Sequence, residues 1–195
     1  MEADRGAGII LNESKLIMES REVRFLGHTL NENGIFPYQA MVDKIRAIKL
    51  PTNKKELSRF LGLVQFYGRL IPKFAEMCRP LHELRLNSNM GEFEVTQSAV
   101  DSLCKIKEAL SSKPCIKPSD LNAPVCLRVD ASEYSVGGVL LQHGHPVMFI
   151  SRKLTTSEQN YSNIEREALA ILWAVEGRES SYLDTNLLFK PIMNL

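Results

Sequence analysis

Three acids in the second half of the chain are placed where chemistry could occur. Asp130 ends an alternating segment, and Glu165 and Glu167 begin a helical one. Carboxylates gathered at a strand end and on a helix face suit a hard divalent cation, because Mg2+ takes oxygen ligands and keeps several waters. Each acid also has an ordinary role. Asp130 precedes the turn 131–135, where aspartates accept backbone hydrogen bonds. Glu165 stands three places after Ser162, the spacing of a capping box, and Glu167 reads as an exposed helix acid. A second set is basic: Lys54, Lys55, Arg59 and Arg69 lie on or near one helix. Charge opposite an apolar stripe is a normal solvated face, and contact with phosphates is the functional alternative. Cys78, Cys104, Cys115 and Cys126 form no C-x-x-C pair and have no histidine pair at zinc-ligand spacing. They read as reduced core residues.

The 195 residues suit one or two domains, with 44% apolar and 24% charged residues. A net charge of +1 gives no global positive field, so any nucleic-acid contact must come from a local patch. The longest apolar run, Ala168 to Val175, is far shorter than the ~20 residues that cross a bilayer. MEADRGAG lacks the basic start and apolar stretch of a signal peptide. The expectation is a soluble protein with no membrane partner, inside the cell in cytoplasm or nucleus.

The elements that must position these residues can be read from periodicity. The first forty residues read as strands, with Asn33-Gly34 marking a hairpin between apolar segments. From Tyr38 the period becomes helical. Met41, Ile45 and Ile48 recur at helical spacing before Pro51; Asn53 to Glu56 has the form of a capping box. Leu57, Phe60, Leu61, Val64, Tyr67 and Ile71 then form one apolar stripe, and Pro72 and Pro80 punctuate the next segment. Another helix is predicted over 97–111. The polar, turn-rich stretch 117–124 reads as a boundary. Beyond it, Val125, Leu127 and Val129 alternate with polar residues, 136–142 and 146–151 form further strands, and a three-stranded meander is predicted. The helix opened by Ser162 is expected to bury Ile164, Ala168, Ile171, Leu172 and Val175, and the tail 186–195 to begin a fourth strand.

Five blocks then occur in order: FLGHTLNENGI, LSRFLGLVQFYGRLIPKFAEMCRPLHEL, VDASEYSVGGVLLQ, SRKL and NYSNIEREALAILWAV. Together they resemble the polymerase of gypsy-type LTR retrotransposons, where such blocks come after the reverse transcriptase palm. GIILNESK also resembles a stretch of that family, so the likeness runs from about Gly8 to about Phe189.

The resemblance implies an α+β fold in three parts. Residues 1–36 would be the end of the palm, a primer-grip-like β-hairpin. Residues 37–117 would be a small helical thumb and connection. Residues 118–195 would be a truncated ribonuclease H-like sheet of three to four strands with one helix. It further implies that Phe25, Leu26, Gly27 and His28 contact nucleic acid, and it favours Lys54, Lys55, Arg59 and Arg69 for the same task. Asp130 and Glu167 would be the catalytic, metal-binding carboxylates for Mg2+. The partners implied are an RNA–DNA hybrid or template-primer duplex and other parts of a polyprotein.

Two departures stand beside it. The chain has no Y-x-D-D pair, so polymerisation by it alone is not expected. The place where the family carries a third ribonuclease H aspartate, 189–194, holds none, and Asp184 comes too early. The expected function is that of a fragment of an RNA-directed DNA polymerase and ribonuclease H polyprotein, inactive alone. The alternatives are a non-catalytic nucleic-acid-binding module and a decayed product without a selected role.

Overall fold

A computed structural model describes residues 20–87, 93–120 and 122–176, and the backbone of 187–189. GIILNESK and the expected aspartate position after Phe189 lie outside the described residues.

Strands β1 (Glu22–Phe25), β2 (His28–Asn31) and β3 (Gly34–Pro37) form an antiparallel sheet in the order β1-β2-β3. The expected single hairpin is therefore a meander, because the chain turns a second time at Leu26-Gly27. Both residues have positive φ, 44° and 76°, the backbone of a turn that matches strand twist. The N-G turn is also shifted. Asn31 pairs with Gly34, so Glu32 and Asn33 form the loop, closed by Asn33 N–H donating to Asn31 Oδ1 at 2.9 Å. Gly34 is needed for approach: a β-carbon there would lie 2.5 Å from both Cys115 Sγ and the Ile116 carbonyl oxygen.

Next along the chain come helices α1 (Gln39–Ala47), α2 (Lys54–Gln65), α3 (Phe74–Asn87) and α4 (Gln97–Ser111), with a 3-10 turn at Gly68–Leu70. The α2 stripe is buried as its spacing predicts, and Tyr67 and Ile71 continue it into one core with Leu81, Leu103 and Ile106. At Asn53 only half of the box forms. Asn53 accepts from Glu56 N–H, but the Glu56 carboxylate turns to the Thr52 N–H and hydroxyl. Pro80 does not end its segment; α3 runs through it. The helix tolerates the lost bond because Phe74, Cys78, Leu81 and Leu84 bury one face of it in the core.

The second sheet has the order β6-β5-β4-β7, from β4 (Val125–Ala131), β5 (Ser135–Gln142), β6 (His145–Lys153) and β7 (Leu187–Phe189). β4, β5 and β6 form the predicted antiparallel meander, and β7 adds in parallel to β4. The α+β class stands, with one extra helix. A single turn, α5 (Thr156–Gln159), precedes α6 (Asn163–Glu176) and has a complete capping box between Thr155 and Glu158.

The buried face expected for α6 holds only at Ile171, which is half-buried against the sheet cluster, and Ala168 is exposed. Ile164, Leu172 and Val175 are 79%, 56% and 41% exposed, whereas Ala170 and Ala174 pack under the sheet with Ile171 and Trp173 beside them. Small alanines let the helix backbone approach β4 and β5 closely, which a stripe chosen by side-chain size overlooks.

Ile35 and Ile116 exchange backbone hydrogen bonds that tie the first sheet to the linker before β4. The helical part and that linker are joined to the second sheet by bonds that include Lys117 N–H to the Pro146 carbonyl and Ala75 N–H to Ser151 Oγ at 3.0 Å.

Candidate functional site

Strand alternation decides where Asp130 points. Val129 and Ala131 join the apolar cluster under α6, so Asp130 between them projects from the other face of β4. There it shares a row with Gly137 and Ser151, its cross-strand neighbours on β5 and β6. The bend before α3 covers this row, and Lys73 Nζ lies 2.9 Å from Asp130 Oδ2. The carboxylate holds the Lys73 ammonium in its charged form, raising its pKa by hydrogen bonding first and charge second. The cleft beside the pair, of about 190 Å3, is lined by Pro72, Glu76, Arg128, Ser132 and Gly138.

Glu167 lies on the side of α6 that turns inward, one turn before Ala170 and Ile171 and two before Ala174. It is half-buried, and Asn163 Nδ2 donates to it at 3.5 Å, a weak contact. Glu165 does what its spacing predicts. Its carboxylate accepts from Ser162 N–H at 2.7 Å and its own N–H reaches Ser162 Oγ, which depresses its pKa. The helix α6 packs on β4 and β5, so Asp130 and Glu167 approach this sheet from its two faces. Among the described residues, no group of three metal-capable side chains forms.

The expected nucleic-acid residues fall into two places. Phe25 and Leu26, 60% and 73% exposed, stand at the β1–β2 turn with Gly27. That turn is braced from behind: Tyr67 OH donates to the Gly27 carbonyl at 3.0 Å, and the His28 ring meets Phe66 at 5.0 Å and Tyr67 at 5.6 Å. Burial raises the pKa of Tyr67, so its hydroxyl stays a donor. Lys54, Lys55 and Arg59 are exposed on the first turns of α2, and Arg69 is exposed in the 3-10 turn. Two lysines at a helix N-terminus oppose the helix dipole, an arrangement that stability alone does not favour. Sequence reasoning missed Lys73, Phe66 and the bracing by Tyr67. Tyr67 was visible as an apolar stripe position, but its hydroxyl contact spans a sequence gap no local pattern reads.

Residues 95–186 match the model of the RNase H-like domain found in reverse transcriptase. The chain carries an RNase H-like domain of the reverse-transcriptase type. The matched stretch begins at Val95 and so takes in α4 as well as the second sheet.

Around this RNase H-like domain the likeness extends through most of the chain. The retrovirus-related Pol polyprotein from transposon 297 of Drosophila melanogaster is 34% identical over 170 residues, 87% of this chain and 16% of that protein. The transposon Tf2-3 polyprotein of Schizosaccharomyces pombe is 33% identical over 173 residues, 86% of this chain and 13% of that protein. The chain thus corresponds to a segment of a retroelement polyprotein and spans about a sixth or less of these curated relatives. In fold, it is similar to the foamy viral protease-reverse transcriptase solved in complex with RNA/DNA hybrid. The TM-score is 0.82 over 92% of this chain and 25% of that one, at 23% identity. That identity speaks of the fold alone.

Proposed function

We propose that this segment is the duplex-handling part of a gypsy-type LTR retrotransposon polymerase, from the palm edge through the thumb and connection into the ribonuclease H-like domain. Its partner is an RNA–DNA hybrid or a template-primer duplex. The observation that carries this reading is the braced β1–β2 turn. Two large apolar residues are held out in solvent beside Gly27, whose carbonyl is fixed by Tyr67 OH. Arg69 lines the same cleft as Phe25, Leu26 and His28, while Lys54, Lys55 and Arg59 are exposed on the first turns of α2. Rigid exposed groups beside a cation suit a sugar–phosphate backbone. The RNA/DNA hybrid in the foamy viral complex agrees with this choice of partner.

In this reading Asp130 and Glu167 are the carboxylates assigned to Mg2+, but they approach the sheet from opposite faces, and the described residues do not gather them into one metal site. Asp130 by itself is a hard oxygen donor beside an open cleft, neutralised by the Lys73 ammonium. The chain's own residues grip the duplex and orient its backbone. Other parts of the polyprotein complete the assembly, and the four free thiols suit an intracellular setting.

A non-catalytic binding module is the second reading, and the projection of Asp130 away from the face that α6 covers favours it. The test is a salt series of hybrid binding by fluorescence anisotropy, run with a Mg2+ cleavage assay. Lys54→Glu with Lys55→Glu and Arg59→Glu is expected to weaken binding at least about tenfold and to flatten the slope of log affinity against log salt. Binding that ignores salt, or that the triple change leaves intact, overturns the duplex reading. Cleavage lost in Asp130→Asn supports the nuclease; tight binding without cleavage supports the second reading.

A further inference from the structure

We infer that the cleft between the first sheet and β6 holds unpaired nucleotides that adjoin a bound duplex; this rests on the reading of the segment as a duplex binder. The cleft, of about 850 Å3, runs from the β1–β2 turn past the 3-10 turn to β6, the edge strand of the second sheet. The first sheet and the end of α2 contribute Phe25, Leu26, His28 and Phe66 to it, and the linker, β6 and α6 contribute Lys117, Phe149 and Trp173. Phe66 is half exposed, as Phe25 and Leu26 are more fully. Large apolar groups left open around one cleft mark a binding groove. The Phe66 ring is nonetheless fixed. It meets the His28 ring at 5.0 Å and the Tyr67 ring edge-on at 5.0 Å, and a β-carbon added to Gly27 would lie 3.0 Å from it. Open to solvent yet held by its neighbours, it is a platform ordered before any ligand arrives.

Charge and ring faces choose the ligand. The chain carries 24 basic and 23 acidic residues, yet among the described residues Arg69 and Lys117 line this cleft and no carboxylate does. A polyanion is therefore favoured over a neutral or cationic partner. Aromatic faces beside cations are the combination that binds single-stranded nucleic acid, because any base can stack while the cations meet its phosphates. In a duplex the base faces are already stacked on their neighbours. The rings can thus take bases at a frayed end or an overhang, but not paired ones. Such a cleft lets the protein recognise the end of a hybrid, which phosphate contacts alone do not tell from its middle.

The test uses the full chain and fluorescent RNA–DNA hybrids of one duplex sequence: blunt, with a short single-stranded extension, and with an abasic extension of the same length. Anisotropy is expected to show the extended hybrid bound at least about fivefold more tightly than the blunt one, the low end for one stacked base. The abasic extension should keep little of that gain. Phe66→Leu, which retains apolar bulk without the flat ring, is expected to remove most of the ratio, and Phe66→Tyr to keep it. Lys117→Gln should lower it in low salt. The proposal is overturned by an extension that adds nothing, by an abasic extension that adds as much, or by a ratio that survives Phe66→Leu; a blunt hybrid that still binds then keeps the duplex reading. If the extended hybrid binds and the blunt one does not, the cleft stands and the duplex reading falls. A dimer in sedimentation that Phe66→Leu dissolves and the extended hybrid does not gives the cleft to a second copy and overturns the proposal. Thermal melts of each variant separate a lost ratio from a lost fold.

Discussion

The Tyr67 hydroxyl donates to the Gly27 carbonyl at 3.0 Å, tying the segment after α2 to the exposed turn of the first sheet. Tyr67 is buried, so removing the hydroxyl leaves that carbonyl with only Tyr38 N–H, which also reaches it at 3.1 Å. Tyr67→Phe is expected to cost about 1 kcal/mol. Its larger effect should fall on hybrid affinity, through a loosened Leu26-Gly27 turn. Chemical denaturation measures the first and anisotropy the second. Unchanged affinity would detach the turn from duplex binding.

Gly34 meets the linker before the second sheet with no room to spare. Gly34→Ala places a β-carbon 2.5 Å from the Ile116 carbonyl oxygen, with φ at 142°, and the neighbour there is backbone that moves only with its segment. A loss of about 2–3 kcal/mol is expected. An unaltered melting temperature would show that the contact yields.

The α6 faces can be told apart by substitution. Ala170→Leu forces a branched side chain into a helix–sheet gap that is already filled, and is expected to destabilise by about 1–3 kcal/mol. Ile164→Ser and Leu172→Ser, on exposed positions, should stay within about 0.5 kcal/mol. The reverse ranking in urea midpoints would return the helix to the face its large residues suggest.

Glu158 joins two bonds to Arg152, at 2.8 and 3.0 Å, with the cap of α5. The Arg152 guanidinium beside it is the main reason its pKa falls to about 2. Because the folded value lies below the unfolded one, its stabilisation is complete above the ordinary carboxylate range and disappears as pH falls toward 2. Glu158→Gln should be less stable than the parent at pH 7 by about 1–2 kcal/mol, and the difference should shrink below about pH 4. A constant difference from neutral to acid pH would rule out the ionised pair as its source.

Local chemistry was enough to read much of this protein. The α2 stripe, the helix over 97–111, the 125–151 meander and the Ser162–Glu165 cap all arise from periods and spacings carried by adjacent residues. Motif order likewise placed Asp130 on a strand and Glu167 on a helix. Tertiary structure decided what those residues face. Hydrophobic size pointed α6 the wrong way, because sheet contact depended on the smallness of Ala170 and Ala174. The cation beside Asp130 comes from Lys73, and the brace behind Gly27 from Tyr67. Neither partner lies in the same local pattern as the group it serves, and only packing of the modules brings them within a hydrogen bond.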